Sequence, residues 1–573
     1  MSIIKENETA YQGRFGHSLQ AIRNGLGAAF IETNEEGAEE YSAYDTSVPE
    51  DVRFLIVFGI GNGEYIRKLY DDNHQKARII IFEPETTEFI KVCERWDLSE
   101  ILCDDRIGLV IEDGACSDSM VDTLRSHADA LNINHIFLKV TDGYGGRYPE
   151  KLSIFAEKIK EYLIPVAADL QTEVAYTRSS YQNELYALSV LSDNYLVGEL
   201  FAKISDKSVP IILVGAGPSL KKNIALLAQA KNKAIIIACT RSLELLEQNG
   251  IRADLLAMVD MDEGHDYCEK DPERKYHVLF SARAAKDIQK NYRGKGIYFS
   301  FDHKRFPVPG LEKEIGIIDT GGSVITGIFS LFAKVGFTEF ILVGEDLAYA
   351  EDGKTHATHY KKEENKETRY QTEGMNGDPV WTRGDWLVFK EFIEIQLRKN
   401  PKLHVIDATE GGAKIRGTEI TPLKDVIENL NRRDYPIGSW ISGIQHIEKS
   451  ICGEVRELFQ SIIRDCEDML LLLTDTIEYN KQICKNWNNP NRDDFSRVCE
   501  RYDSLYKLVL REDTSESVKD YCSDLIFSYS DQAQYLNNDS DVLKRLELER
   551  WFFSEMGNRC SELKNYVQGL ESY

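Results

Sequence analysis

Short apolar runs punctuate the first three quarters of the chain, separated by stretches with helical spacing. Phe54–Phe58, Arg78–Phe82, Ile107–Ile111 and His135–Val140 are strand-length and largely apolar, which predicts strands buried on both faces. Gly59-Ile60-Gly61-Asn62-Gly63 follows the first run, and an amphipathic stretch from Glu64 to Leu69 follows the glycines. The rhythm resumes after Val209-Pro210, with predicted strands at Ile211–Val214, Ala234–Ala238, Asp254–Val259, Ile317–Asp319, Phe340–Val343 and His404–Ile406. Alternation of strand and helix predicts α/β architecture with parallel sheets. Each run in the second set ends in polar or glycine-rich residues, and ligands bind at that edge of an open parallel sheet.

Two other regions read as helical. Residues 151–208 carry helical spacing, with a break expected at Pro165. From 437 onward glycine and proline become scarce, and Ile447, Ile451, Val455, Leu458 and Ile462 form an apolar stripe of the kind that packs a helical bundle. The predicted layout is an N-terminal Rossmann-like α/β domain over 1–150, a helical linker over 151–208, a central nucleotide-binding domain over 209–436 and an all-helical domain over 437–573.

Composition narrows the classes. The 573 residues have an ordinary globular balance, 42% hydrophobic and 29% charged. A net charge of −26 repels phosphate backbones and anionic lipid, so neither nucleic acid nor membrane is expected as a partner. The 11 cysteines show no C-x-x-C pair, which suits a reducing compartment and argues against a zinc ribbon. No apolar leader opens the chain and no apolar run reaches bilayer length, so a cytoplasmic protein is expected; no oligomeric state follows.

The most specific local signal is Gly215-Ala216-Gly217-Pro218-Ser219-Leu220, between a strand and the helical pattern Leu220–Ala228. Two glycines allow a tight turn and close approach of a ligand, Pro218 suits a first helical turn, and Ser219 offers a hydroxyl beside unpaired N–H groups that attract phosphate.

This loop resembles the nucleotide loop of the family-42 bacterial sialyltransferases, and also that of archaeal enzymes related to the pterin pyrophosphokinase. The longer resemblance is to the motility-associated factor (Maf) family of flagellin glycosyltransferases. It is carried by Gly215–Leu220 with Asn223, Ala238–Ser242, Asn249-Gly250-Ile251 with Asp254, and Val259-Asp260-Met261-Asp262. Gly321–Val324, Leu342–Tyr349, Asp352–Ala357 and Ile406–Lys414 continue it, in family order, across most of 209–420. The resemblance implies transfer of a nonulosonic acid of the pseudaminic or legionaminic type, from its CMP-activated form, to Ser or Thr hydroxyls of flagellin.

Residue by residue, it implies that Gly215, Gly217, Pro218, Ser219, Gly322 and Ser323, with Thr320 beside them, hold the CMP donor. Thr240 and Asp260 stand where the sialyltransferases carry Asn. Tyr349 lies near their phosphate-binding Tyr and could donate a hydrogen bond to the departing phosphate. Their catalytic His is missing from Trp381–Trp386, which leaves Asp385, His356 and His359 as candidate bases. Asp346 completes the candidate catalytic set, and Arg383 and Lys354 are candidates for the sugar carboxylate on charge alone. Asp260-x-Asp262 matches a metal-binding pattern, but alternate residues on a strand diverge, so no divalent metal or other cofactor is expected to be required.

Gly59–Gly63, with Glu83 at the end of the next strand, resembles an adenosylmethionine or dinucleotide fingerprint without its full glycine pattern. We read that domain as serving packing or acceptor binding, and the C-terminal bundle as the candidate for flagellin recognition. Two alternatives to the transferase remain: a pterin pyrophosphokinase-like enzyme using Asp260 and Asp262 with Mg²⁺, and a non-catalytic flagellin-binding chaperone.

Overall fold

The computed structural model describes residues 5–10, 45–49, 52–74, 77–111, 120, 123–124, 135–261, 276–292, 295–351, 353–357, 369–430, 434–447, 449–487, 492–511, 515–533, 536 and 542–571. Two compact units result, Met1–Ala175 and Tyr176–Tyr573.

In the first unit, β1 (Phe54–Phe58), β2 (Arg78–Glu83), β3 (Ile107–Ile111) and β4 (Ile136–Val140) form a parallel sheet in the order β3-β2-β1-β4. Strand alternation sends Leu55, Val57, Ile79 and Ile81 to one face, against Ile66, Leu69 and Phe89 of the helices Gly63–Asn73 and Thr86–Arg95. Phe54, Ile56, Phe58, Ile80 and Phe82 face the other way, against Tyr144 and Phe155.

A single helix, Pro149–Ser189, carries the chain onward. It runs through Pro165 without the break expected there. A proline removes one hydrogen bond from the ladder, and over 41 residues the other bonds hold the helix together.

The second unit is built on a nine-stranded sheet: β5 (Tyr195–Leu196), β6 (Ile211–Val214), β7 (Ile235–Cys239), β8 (Leu255–Met258), β9 (His277–Ser281), β10 (Lys295–Phe299), β11 (Glu339–Val343), β14 (His404–Asp407) and β15 (Glu419–Ile420). β12 (Arg369–Glu373) and β13 (Pro379–Arg383) form a separate antiparallel hairpin. Every pairing in the large sheet is parallel, in the order β15-β14-β11-β6-β7-β8-β9-β10-β5. From β6 the chain builds outward through β7 to β10, then returns to β6's other side at β11. The strand order therefore reverses between β6 and β11, and a crevice opens at the C-terminal ends of such neighbours.

Ile317–Asp319, expected as a strand, is not one. The segment makes an isolated bridge from Gly316 to Phe301, and Ile318 N–H donates to Ser300 Oγ (3.0 Å) instead of to a neighbouring strand. Ile317 is exposed, so the run lacks the two-sided burial of its neighbours.

The helices Lys449–Asn486, Arg492–Leu510, Glu516–Tyr521, Ser523–Ala533 and Val542–Leu570 follow. Ile451, Val455 and Ile462 of the predicted stripe are buried, with Ile447 and Leu458 packed beside them, in one continuous core with Ile212, Ile236 and Leu256 of the sheet. Among the described residues no helix is long and apolar enough to cross a membrane.

Candidate functional site

A cleft of about 230 Å³ lies where the strand order reverses. It is bordered by the loops after β6 (Gly215, Ala216, Gly217), β7 (Thr240, Arg241), β8 (Asp260) and β11 (Gly344 to Ala348). Cys239, Gly322 to Ile325, Thr355, His356, Arg383, Asp385, Trp386 and Phe389 complete it.

The glycine loop is short of space for a reason inside the protein. A Cβ on Gly215 would stand 2.5 Å from Gly344 O and 2.6 Å from Glu345 Oε2. One on Gly217 would stand 2.6 Å from Asp346 Cγ and 2.7 Å from Gly344 O. Gly215 N–H donates to Val343 O (2.8 Å) and Gly217 N–H to Gly344 O (2.7 Å), so the loop is fastened along the turn after β11. Asp346 accepts from Ser219 N–H (3.0 Å) and from Ser219 Oγ–H (2.7 Å). An internal carboxylate thus already engages the Ser219 hydroxyl and amide. The helix beyond is one turn, Leu220–Asn223, continuing as the 3₁₀ segment Ile224–Ala230. Asn223 Nδ2–H donates to Ala408 O (3.0 Å), and a Cβ on Gly412 would stand 2.6 Å from Asp346 Cα. The loops after β6, β11 and β14 are locked into one another.

A longer helix points its start at the cleft. Ser323 caps Val324–Lys334 with a reciprocal box: its Oγ accepts from Thr326 N–H (3.1 Å), and its own N–H donates to Thr326 Oγ1 (3.1 Å). Gly321 and Gly322 reach it at φ +58° and +85°, a region glycine adopts freely. Among the described residues the N–H groups of Gly322, Val324 and Ile325 have no protein acceptor, and all three residues line the cleft. Thr320, by contrast, gives its carbonyl to Thr326 Oγ1 (2.5 Å) and lies outside the cleft wall.

Positive charge comes from Arg241 and Arg383. Arg383 lies over the Trp386 ring (4.4 Å) and donates to Asp385 Oδ2 (2.6 Å). His356 bonds through Nδ1 to Thr355 Oγ1 (2.8 Å), with Nε2 facing Arg241 Nη1 (3.3 Å). Burial first, then the two guanidiniums, hold its pKa down to about 4, so it is neutral at physiological pH. Carboxyls at the strand ends are buried: burial raises Asp346 and Asp407 to about 6 and Glu345 to about 8, and Asp346 and Glu345 line the cleft.

Of the other candidate residues, Thr240 and Asp260 line the cleft. Tyr349 packs against Trp386 (5.0 Å) with Arg369 over its ring (4.4 Å), behind the cleft wall. Pro218 and Lys354 also lie outside the wall, and Lys354 is exposed. Asp262 and His359 fall outside the described residues. Among the described residues no group of three or more His, Cys, Asp or Glu side chains could hold a metal ion. Sequence reasoning missed Arg241, Glu345 and Phe389. The first two are each the second residue after a strand end, which was the available signal, whereas Phe389 reaches the cleft only through the packing of the helix Gly384–Lys399.

A family model described as 6-hydroxymethylpterin diphosphokinase MptE-like matches residues 183–352. The structure of the MAf glycosyltransferase from Magnetospirillum magneticum AMB-1 matches with a TM-score of 0.56 and 16% identity, over 97% of this chain and 84% of that one. The chain shares its fold with a Maf glycosyltransferase. The resemblance read in the motifs thus extends to the architecture of both units. No curated protein matches the sequence.

The fingerprint of the first unit is occupied from within. The Tyr144 ring lies where a Cβ on Gly59 would be, with Cγ at 2.5 Å, and Tyr144 OH donates to Glu83 Oε2 (2.9 Å). Glu83 also accepts from Ile60 N–H (2.8 Å) and Glu85 N–H (2.9 Å). The carboxyl that would take a ribose hydroxyl in a dinucleotide-binding fold is buried and fully engaged.

Proposed function

We propose that the cleft binds a CMP-activated nonulosonic acid and transfers the sugar to Ser or Thr hydroxyls of flagellin in the cytoplasm. One observation carries this reading: two arginines and the open N–H groups of a helix start converge on a single cleft at the sheet's switch point. That arrangement suits a ligand with two anionic groups, as a phosphodiester and a sugar carboxylate would be. The helix start at Gly322 to Ile325 would receive the phosphate, whose charge grows as its bond to the anomeric carbon breaks. Arg383, held over the Trp386 ring, would take the carboxylate in a fixed pose. The Maf-like fold over the whole chain supports the reading. In it the locked glycine loop forms the rigid floor and the C-terminal helices offer the acceptor a surface. No metal enters the scheme, so transfer should survive chelation of divalent ions.

The test is co-expression with flagellin and a CMP-nonulosonic acid pathway, followed by intact-mass spectrometry of the flagellin, beside a Gly217→Trp variant. Added mass in whole nonulosonic units, absent from the variant, supports the proposal. Unmodified flagellin that still binds the chain, with donor present, favours the chaperone reading. A second enzymatic reading rests on the family model over residues 183–352: a pterin diphosphokinase. Release of AMP from ATP, dependent on hydroxymethylpterin and Mg²⁺, would favour it.

A further inference from the structure

Transfer to an alcohol needs a base, and among the described residues none of those brought forward from the sequence is well placed to be one. His356 is held between Arg241 and Arg383, with Nε2 turned to Arg241, and its low basicity makes it a poor proton acceptor. Asp385 is engaged by Arg383 and by Trp386 N–H (3.0 Å). Asp346 holds Ser219 with both carboxylate oxygens.

Glu345 is different. It follows β11 at the switch point, lines the cleft, and is 8% exposed. Its backbone N–H donates to Thr409 Oγ1 (3.3 Å), but its carboxyl has no hydrogen-bond partner among the described residues. A carboxyl left unpaired in a low-dielectric wall is unfavourable to folding, and such groups gather at functional sites. We propose that Glu345 is the general base of the transfer, a role that rests on the glycosyltransferase reading above. The acceptor oxygen forms its bond to the anomeric carbon while the bond from that carbon to the phosphate oxygen breaks. The electron pair leaves with CMP, and the hydroxyl proton passes to a Glu345 carboxylate oxygen. The departing phosphate is a good leaving group and needs no proton, whereas the attacking alcohol must lose one, which assigns the carboxyl to the acceptor side.

The surroundings of Glu345 set its pH behaviour. Burial is the main influence, followed by the charges of Asp346 and Asp407; Cys239, at the end of β7, also faces it. Burial and the two neighbouring carboxyls disfavour the carboxylate, so the group ionises near pH 8. A base of that strength is well matched to mildly alkaline conditions.

The experiment is kcat/KM for transfer from CMP-nonulosonic acid to unglycosylated flagellin, from pH 6 to 9.5, for the wild type, Glu345→Gln and Glu345→Asp. CMP affinity is measured alongside. The wild type should gain about fivefold between pH 7 and 8 and level off above, following ionisation of a single group. Glu345→Gln should bind CMP as the wild type does, yet transfer at least ~100-fold more slowly and without the alkaline rise. Glu345→Asp should keep the rise at a lower rate. Glu345→Gln retaining a tenth of the activity with an unchanged profile would overturn the assignment. Should Glu345→Gln fail to fold, Glu345→Asp decides: wild-type rate and midpoint there would overturn it equally. A wild type inactive at every pH would instead sink the transferase reading, and this assignment with it.

Discussion

If the glycine loop is shaped by the turn beneath it, Gly217→Ala should unfasten that turn. The added methyl would stand 2.6 Å from Asp346 Cγ and 2.7 Å from Gly344 O. The backbone cannot retreat, because Gly217 N–H is bonded to Gly344 O at 2.7 Å. Asp346 must therefore swing away and release Ser219 N–H and Oγ–H. Overpacking costs about 1–3 kcal/mol, and each hydrogen bond to a charged acceptor contributes about 1.5–3 kcal/mol. Water at the cleft edge recovers part of this, which leaves a loss of about 3–5 kcal/mol. Urea unfolding at pH 8, where Asp346 is ionised, measures it. Gly453→Ala is the control, since nothing lies within 4 Å of its Cβ, and it should stabilise slightly. Ser219→Ala should destabilise the wild type but add little to Gly217→Ala, a coupling of at least about 1 kcal/mol. A Gly217→Ala protein within about 1 kcal/mol of wild type, or strict additivity with Ser219→Ala, would refute the account of the lock.

Three further outcomes follow from the same geometry. Arg241→Ala removes one of the two cations that depress His356, so the His356 titration, followed by NMR, should move up from about 4, and CMP-donor affinity should fall at least ~10-fold. Glu345 has a raised folded-state pKa, so it favours folding below the ordinary glutamate range and loses that contribution as pH climbs through about 8. Glu345→Gln should therefore match wild-type stability at pH 5 and exceed it by on the order of 2–4 kcal/mol at pH 8.5 in urea melts, and equal curves at both pH values would contradict this. In the first unit, Tyr144→Phe removes the phenol that donates to Glu83, and should destabilise by about 1–2 kcal/mol at pH 8 but less at pH 5.5, where Glu83, raised to about 7 by burial, is protonated.

The architecture was legible in the sequence because burial on both faces leaves an unmistakable mark. Runs such as Phe54–Phe58 and Ile211–Val214 became strands with every residue buried, and the stripe from Ile451 to Ile462 became the inner face of a long helix. Where one residue carries both local and distant demands, the pattern fails. Pro165 looks like a helix stop because its own neighbours cannot say how long a ladder surrounds it. Ile317–Asp319 looks like a strand because side-chain type does not reveal a missing partner.

The linear order of residues determined which loops lie at the ends of strands, and so named Gly215, Gly217, Thr240, Asp260, Gly322 and Ser323 for the cleft. Tertiary structure alone decided what each does there. It assigned Ser219 to Asp346, 127 residues away, placed Arg241 opposite His356, and left Glu345 buried in the cleft wall. Local propensities are short-range and survive in sequence as periodicity. Hydrogen bonding, desolvation and charge act between groups brought together only when β11 returns to lie beside β6.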